Sequence, residues 1–472
     1  MSESIPSTIE KALPKTLRFR DLVLLNVASV ASLTTLSQVA QFGYASIVLL
    51  IIAILTFFIP CGLMVAELNY RMPEQGGFYY WVKKAFGPLH AYIAAWAFWL
   101  CNIVWFPTAL LLISSSIPYL LGPEYIALKD DLTYNSIVCL GVLWAVTLLN
   151  IGGMEKAKWV QNLGALASWI AIALLVVVGI WYVREFGLAQ PFSTELLIPD
   201  WTDFGVWPFF AAVVFSFGGL ELGSVMSGEM ENPRRIVPKS LVYSGLMIGS
   251  IYILGTIMVI ACVPQGEVST IEGIAQAFFN SSTAFQGSWT AILGISLLII
   301  SALGLFGAWF AGNARVPFVI GIDKYLPEAV TRLHPKFGSP YVSLIGQAIV
   351  ISILFLGTTL GTTIKDAFQI LFDMSILLYF IPFLYMFAAL FYHVKKGDPG
   401  SGLFSFLNRK AILFLLVGSG LSLTLFAMVL SIIPSGQVEA KGLFVLKVLG
   451  GAILLLGLGL LAYFRKNRAR PI

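Results

Sequence analysis

The stretch Val214-Phe215-Ser216-Phe217-Gly218-Gly219-Leu220-Glu221 places two adjacent glycines and a carboxylate in the middle of an apolar run. Each glycine weakens a helix by about 1 kcal/mol relative to alanine. A charged side chain at the centre of a bilayer costs about 2.5–3.5 kcal/mol or more on insertion scales. A lipid-facing helix is a poor home for this run. One reading is close helix packing at the glycine pair, with Glu221 hydrogen-bonded to a neighbour. The other is an unwound segment that exposes backbone N–H and C=O groups to a ligand. Irregular backbone at membrane depth is tolerated only where it is buried in protein or lines a cavity.

The rest of the chain supports a membrane setting. Of its 472 residues, 58% are hydrophobic and 11% charged, against about 45–50% and roughly 25% in soluble domains. So little charge cannot cover a soluble surface. The net charge of +5 is spread along the chain and makes no nucleic-acid patch. Cys61, Cys101, Cys139 and Cys262 sit in apolar stretches without a C-x-x-C pair and read as free thiols. His90, His334 and His393 are far apart, so neither a metal site nor a cofactor is expected. The polar N-terminus lacks the pattern of a cleaved signal peptide, so the first apolar segment is expected to be both signal and anchor.

A bilayer core of about 30 Å needs roughly 20 apolar residues in a helix. Candidate spans lie at 18–40, 45–70, 89–121, 134–153, 157–184, 205–230, 238–264, 287–316, 340–358, 366–393, 411–433 and 443–464, twelve in all. With both termini inside, the outer segments hold only Lys129, Arg184, Lys365, Lys441 and Lys447, and the other 24 of the 29 basic residues fall inside. That asymmetry is the positive-inside pattern. The basic tail, 465–472, reads as a membrane-surface anchor.

Breaks in matching positions of two halves mark a transporter site. The first span, with Asn26, Ser29, Ser32, Thr34 and Thr35, is small-residue-rich, polar and uncharged; it stands five spans before the run quoted above. Small residues at this spacing also make a packing face. The third span carries Trp99, Asn102 and Phe106 on one helical face, with Trp105 beside them. Aromatic faces with one polar group suit an amino acid or amphipathic amine, and equally suit core packing. Asp373 is a second mid-span acid, a candidate proton carrier, gate element or structural partner.

The helix-6 run, followed by Gly228-Glu229-Met230-Glu231-Asn232-Pro233-Arg234-Arg235-Ile236-Val237-Pro238, resembles the sixth-helix signature of the amino acid–polyamine–organocation superfamily. So do Ala66-Glu67, Pro73-Glu74-Gln75-Gly76-Gly77-Phe78-Tyr79-Tyr80-Trp81-Val82 and Ala85-Phe86-Gly87-Pro88. The stretch 25–33 and Trp105-Phe106-Pro107-Thr108 look most like the bacterial glutamate/GABA antiporter group. The first helix departs from the superfamily's glycine-rich break, being rich in Ala, Ser and Thr, and the short tail does not match the C-terminal plug of acid-resistance antiporters.

The resemblance implies an all-α integral membrane protein of LeuT-type fold: two inverted five-helix repeats (18–184 and 205–393) plus two C-terminal helices (411–464), after a cytoplasmic N-terminus (1–17), with helices 1 and 6 broken. It implies a midplane site. Backbone around Ser29, Val30, Ala31, Ser32 and Leu33 would hold a substrate carboxylate. Carbonyls around Phe215, Ser216, Phe217 and Gly218 would take the amino group beside Gly219, with Phe215 or Phe217 as a lid. Glu221 would stabilise the unwound geometry rather than touch substrate. Glu67, Glu229 and Glu231 could pair with Arg234, Arg235, Lys83 and Lys84 as an inner gate, although surface pairs are worth only about 0–1 kcal/mol. Helix 8 offers Ser296 and Ser301 but no adjacent hydroxyl pair for sodium, which favours exchange or proton symport. The expected cargo is an amino acid carried across the plasma membrane. A polyamine permease and a non-transporting sensor are the alternatives. No G-x-S-x-G, H-E-x-x-H or P-loop points to an enzyme, and no pore-loop repeat points to a channel.

Overall fold

The computed structural model describes residues 17–31, 33–73, 76–200, 202, 206–227, 230–282, 289–322, 325–359, 364–396, 402–433 and 441–468. The helices are α1 Phe19–Val30, α2 Leu33–Ala40, α3 Ala45–Arg71, α4 Phe78–Phe86, α5 Pro88–Leu121, α6 Leu132–Ile151, α7 Met154–Phe186, α8 Val206–Ser216 and α9 Leu222–Val225. They continue as α10 Pro233–Cys262, α11 Gly273–Ser282, α12 Trp289–Ile322, α13 Tyr341–Thr359, α14 Ile364–Lys396, α15 Lys410–Leu430 and α16 Gly442–Lys466. Among the described residues, nine of these are long and apolar enough to cross a membrane: α3, α5, α6, α7, α10, α12, α14, α15 and α16. α13 is a shorter apolar helix.

The central helices approach each other through small residues. On α7 and α12, a Cβ added at Gly304 would sit 2.5 Å from the Gly164 Cα, so the two backbones touch. One turn away, Ser168 and Ser301 join their hydroxyls at 2.5 Å. Without a hydrophobic drive between helices in lipid, close backbone approach and interhelical hydrogen bonds supply the cohesion. Ser301 is thus engaged with α7. α5, buried along nearly all its length, packs against α12 and α14. Within α3, Pro60 follows a π-helical turn at Ile54–Phe58, and the Thr56 hydroxyl donates to the Ile52 carbonyl at 2.6 Å. A proline lacks the N–H that would bond the preceding turn, and such turns absorb the mismatch.

Two helices lie in connections between the expected spans. α4 fills the connection between the second and third. α11 lies between the seventh and eighth. Its ten residues are too few for a membrane-length window, but Ile274, Ala275, Ala277 and Phe278 form a buried apolar face. The Ile274 N–H donates to Ser37 Oγ at 3.2 Å, seating α11 on α2.

Candidate substrate site

The first broken segment lies between α1 and α2. α1 ends at Val30, where Ala31 turns to φ −70, ψ 71. Leu33 resumes the helix. The second lies between α8 and α9, where residues 217–221 are non-helical and Gly219 has φ +125. Only glycine occupies that region without strain. The two breaks meet: a Cβ on Gly219 would lie 2.9 Å from the Ser29 carbonyl oxygen.

Each break exposes carbonyls that must find donors, since an unsatisfied backbone group in apolar surroundings is expensive. The donors come from the opposite break and from the helices around it. Trp309 Nε1 of α12 donates to the Ser29 carbonyl at 2.7 Å. The Tyr252 hydroxyl of α10 lies 2.6 Å from the Val30 carbonyl oxygen and 2.8 Å from that of Ser216, sharing one proton between both breaks. Ser29 Oγ donates to the Gly219 carbonyl at 3.3 Å and to Asn26 at 3.1 Å. Glu221 is fully buried; its Oε2 accepts the Gly219 N–H at 3.1 Å and its Oε1 accepts the Tyr379 hydroxyl of α14 at 2.5 Å. The carboxylate spans the bend of its own segment and ties it to α14.

Beside this junction lies a small cavity, with about 30 Å³ of room for the centres of water-sized spheres. Ser29 and Val30 line it from α1; Phe215, Ser216 and Gly218 line it from the end of α8. Cys101, Asn102 and Trp105 come from α5, Leu305 and Trp309 from α12, and Tyr379 from α14. The Asn102 amide donates to the Phe98 carbonyl at 2.8 Å, which leaves its own carbonyl oxygen as an acceptor. Phe215 packs edge-on against Tyr379 at 5.1 Å between centroids.

The site residues expected from the sequence fall into three groups. Ser29, Val30, Trp105, Phe215, Ser216 and Gly218 are brought together around the cavity. Gly219 touches Ser29 but does not line it. Ala31 and Leu33 are buried outside the lining, as is Phe217, which packs against Phe58 and Tyr252 rather than over the cavity. Of the two residues expected as lids, Phe215 lines the cavity and Phe217 does not. Ser32 and Glu229 lie outside the described residues. On α5, where ligand contact and core packing were both open, the structure divides the aromatic residues. Asn102 and Trp105 reach the cavity, whereas Trp99 packs on Trp96 and Phe106 on Phe306 and Phe310.

The charged residues expected at an inner gate are dispersed. Glu67 is buried, pairs with Arg71 at 2.6 Å and accepts the Phe404 N–H at 3.0 Å, clasping the segment before α15. Glu231 pairs with Arg18 at 3.2 Å, both well exposed. Arg234 and Arg235 are exposed at the start of α10, and no acid among the described residues pairs with them. Asp373 is buried away from the cavity lining and accepts from Gln369 Nε2 at 2.7 Å.

Trp309, Leu305, Cys101, Tyr252 and Tyr379 were not singled out as site residues from the sequence. A signal existed for two of them. Membrane tryptophans and tyrosines concentrate at the interfaces. Trp309 and Tyr252 sit deep within long apolar helices, where their N–H and O–H groups must find partners.

A second recess, with about 320 Å³ of room for the centres of water-sized spheres, lies beside Gln41 and Gln276. Lys129 and Glu272 line it and pair at 2.7 Å; Gln41 Nε2 donates to Thr270 Oγ1 at 2.7 Å beside them. Burial works to lower the Lys129 pKa, and the Glu272 carboxylate outweighs it, leaving it raised above the ordinary lysine value.

Two broken helices meeting at a cavity inside a bundle of apolar helices define a multi-pass membrane transporter. The comparisons with known proteins agree. The amino acid permease family matches residues 17–454, and the chain belongs to that family, within the amino acid–polyamine–organocation superfamily. It is 31% identical over 445 residues to a transporter of Legionella pneumophila subsp. pneumophila, covering 93% of this chain and 95% of that protein. It is 22% identical over 431 residues to a probable agmatine/putrescine antiporter of Lactococcus lactis subsp. lactis, covering 91% of each. It is 21% identical over 391 residues to a glutamate/gamma-aminobutyrate antiporter of the same organism, covering 81% of this chain and 77% of the relative.

Proposed function

We propose that the protein is a secondary active transporter that moves amino acids across the plasma membrane by alternating access. In this reading it has twelve spans, both termini cytoplasmic, and a LeuT-type fold of two inverted five-helix repeats (18–184 and 205–393) followed by two helices. α1 with α2, and α8 with α9, are then its broken helices 1 and 6. The observation that carries the reading is the junction of the two breaks. Their backbone groups are satisfied by one another and by Tyr252, Trp309 and Glu221, beside a cavity that reaches α5, α12 and α14.

Such a junction supplies two opposite electrostatic ends. A helix start such as that of α2 favours a carboxylate. The end of α8 concentrates carbonyls, which favour an ammonium, and the aromatic rings of Trp105, Phe215 and Trp309 add a cation-attracting wall. Glu221 acts as a staple within helix 6. The buried Glu67–Arg71 pair and the exposed Arg18–Glu231 pair form the charge contacts that rearrange at the cytoplasmic side. Transport is by exchange or with a co-transported proton. The alternative cargo, raised by the name of one relative, is an organic amine.

The test is reconstitution in liposomes, with uptake of radiolabelled amino acids and diamines measured with and without unlabelled solute inside and under an imposed proton gradient. Amino acid uptake accelerated by internal amino acid supports exchange; uptake driven by the gradient alone supports proton symport. Diamine uptake alone overturns the amino acid cargo, and ligand binding without any uptake overturns transport.

A further inference from the structure

The cavity has a property that the two breaks do not require. Among the described residues, none that lines it is an Asp, Glu, Lys, Arg or His. Its hydroxyl and amide side chains are those of Ser29, Asn102, Ser216 and Tyr379, and the three hydroxyls already donate elsewhere, Ser29 Oγ to the Gly219 and Asn26 carbonyls. The Tyr379 hydroxyl donates to Glu221, and Ser216 Oγ donates to the Val213 carbonyl at 2.6 Å. The remaining walls are Trp105, Phe215, Leu305 and Trp309.

The nearest acid cannot serve as a counter-ion without dismantling the site. Glu221 has one oxygen on Tyr379 and the other on the Gly219 N–H, both inside the helix 6 bend. Asp373 is held by Gln369, and Glu67 by Arg71. In the transport reading above, a cargo with one ammonium and one carboxylate would take both partners from backbone groups of the two breaks. A third charge would be buried among indole, phenyl and leucine side chains, where an unpaired ion is strongly disfavoured.

We propose that the cargo is a zwitterionic amino acid with an uncharged, largely apolar side chain, which lies against Trp105, Phe215, Leu305 and Trp309 while the Asn102 carbonyl oxygen accepts from its ammonium. This rests on the transport reading above and narrows it. Amines with two cationic ends and amino acids with acidic or basic side chains are poor cargo. Tight packing of the side chain among aromatic rings sets selectivity by size and by absence of charge. Specificity of this kind arises because a wrong ligand leaves a buried charge unpaired.

The test uses purified full-length protein in liposomes preloaded with unlabelled leucine or phenylalanine, and follows entry of the same labelled amino acid. Competitors are alanine, leucine, phenylalanine, lysine, glutamate and cadaverine. The expected result is counterflow of leucine or phenylalanine, with lysine, glutamate and cadaverine each at least about tenfold weaker as competitors, or about 1.4 kcal/mol. A charged competitor within tenfold of the best neutral one overturns the proposal and leaves the transporter reading intact. Asn102→Asp places a carboxylate in the cavity and should improve lysine or cadaverine competition at least about tenfold relative to leucine; no improvement in a folded variant counts against the proposal. Where no counterflow is seen, the same panel is read by the shift in melting temperature in detergent. A shift with neutral amino acids alone keeps the ligand class and removes transport. A shift with charged ligands alone, or with none, overturns both.

Discussion

Replacing Gly219 by alanine tests the junction most directly. The residue has φ +125, a region that L-residues enter at a cost of about 1–3 kcal/mol. The new Cβ would stand 2.9 Å from the Ser29 carbonyl oxygen and 2.9 Å from Val30 Cγ2. That oxygen cannot easily turn aside, because Trp309 Nε1 holds it at 2.7 Å. Overpacking of this kind adds about 1–3 kcal/mol, for a total of about 2–6 kcal/mol if the two costs add. The strain falls between the end of α1 and the bend after α8, so it separates the two breaks beside the cavity. Gly141→Ala is the internal control: it lies mid-helix on an exposed face of α6, and nothing stands within 4 Å of the added methyl. The assay pairs melting temperature in detergent with initial exchange rate in liposomes. Gly219→Ala should melt lower and lose at least about tenfold in rate, the equivalent of 1.36 kcal/mol, while Gly141→Ala matches the unsubstituted protein. Normal melting and normal exchange in Gly219→Ala would refute the contact between the two breaks.

Three further outcomes follow from the same geometry. Tyr252→Phe strips the Val30 and Ser216 carbonyls of their shared donor, and leaving a buried acceptor unsatisfied costs about 1–3 kcal/mol; a drop in melting temperature is expected, and an unchanged melt would show that other donors reach both oxygens. Glu221→Gln keeps the shape but removes the charge that strengthens the bonds from Tyr379 and Gly219, and exchange should fall about tenfold or more. Combined with Tyr379→Phe, it should be less than additive, with coupling of about 0.5–3 kcal/mol; strict additivity would mean the two residues act apart. Lys129 has a raised pKa in the folded protein, so its pairing with Glu272 contributes stability that is complete below the unfolded lysine value of about 10.4 and is lost as pH rises through the higher folded value. The melting difference between the native protein and Glu272→Gln should therefore stay constant from pH 6 to 9; a difference that shrinks across that window contradicts the assignment.

Much of this was legible in the sequence because lipid imposes harsh rules. Length, apolarity and charge depletion dictate membrane helices, and the Gly218-Gly219 pair before Glu221 announces a break, because a helix with two adjacent glycines and an acid at mid-depth has few other stable forms. Ser29 and Ser216 could be nominated for the same reason. Helical periodicity could not choose between ligand and core for the aromatic residues of α5; Trp99 and Phe106 meet Trp96 and Phe310. Phe215 and Phe217 are equally plausible lids in one dimension; only the turn between them points the second at Phe58 and Tyr252. α11 was invisible as a structured element because it is too short for a membrane window and its apolar face has meaning only against α2.

The sequence by itself determined the solvent, the positions of the breaks and the family, because each depends on local composition and on the energy of placing backbone and charge in hydrocarbon. The tertiary structure alone decided which groups close those breaks. Tyr252 lies more than two hundred positions from Val30, and Trp309 nearly three hundred from Ser29, yet each donates to the carbonyl that the unwound chain leaves open. Such pairings are set by which helices become neighbours, and no local pattern encodes them. The same holds for the uncharged lining of the cavity among the described residues: Glu221, Asp373 and Glu67 are held by Tyr379, Gln369 and Arg71 and do not line it.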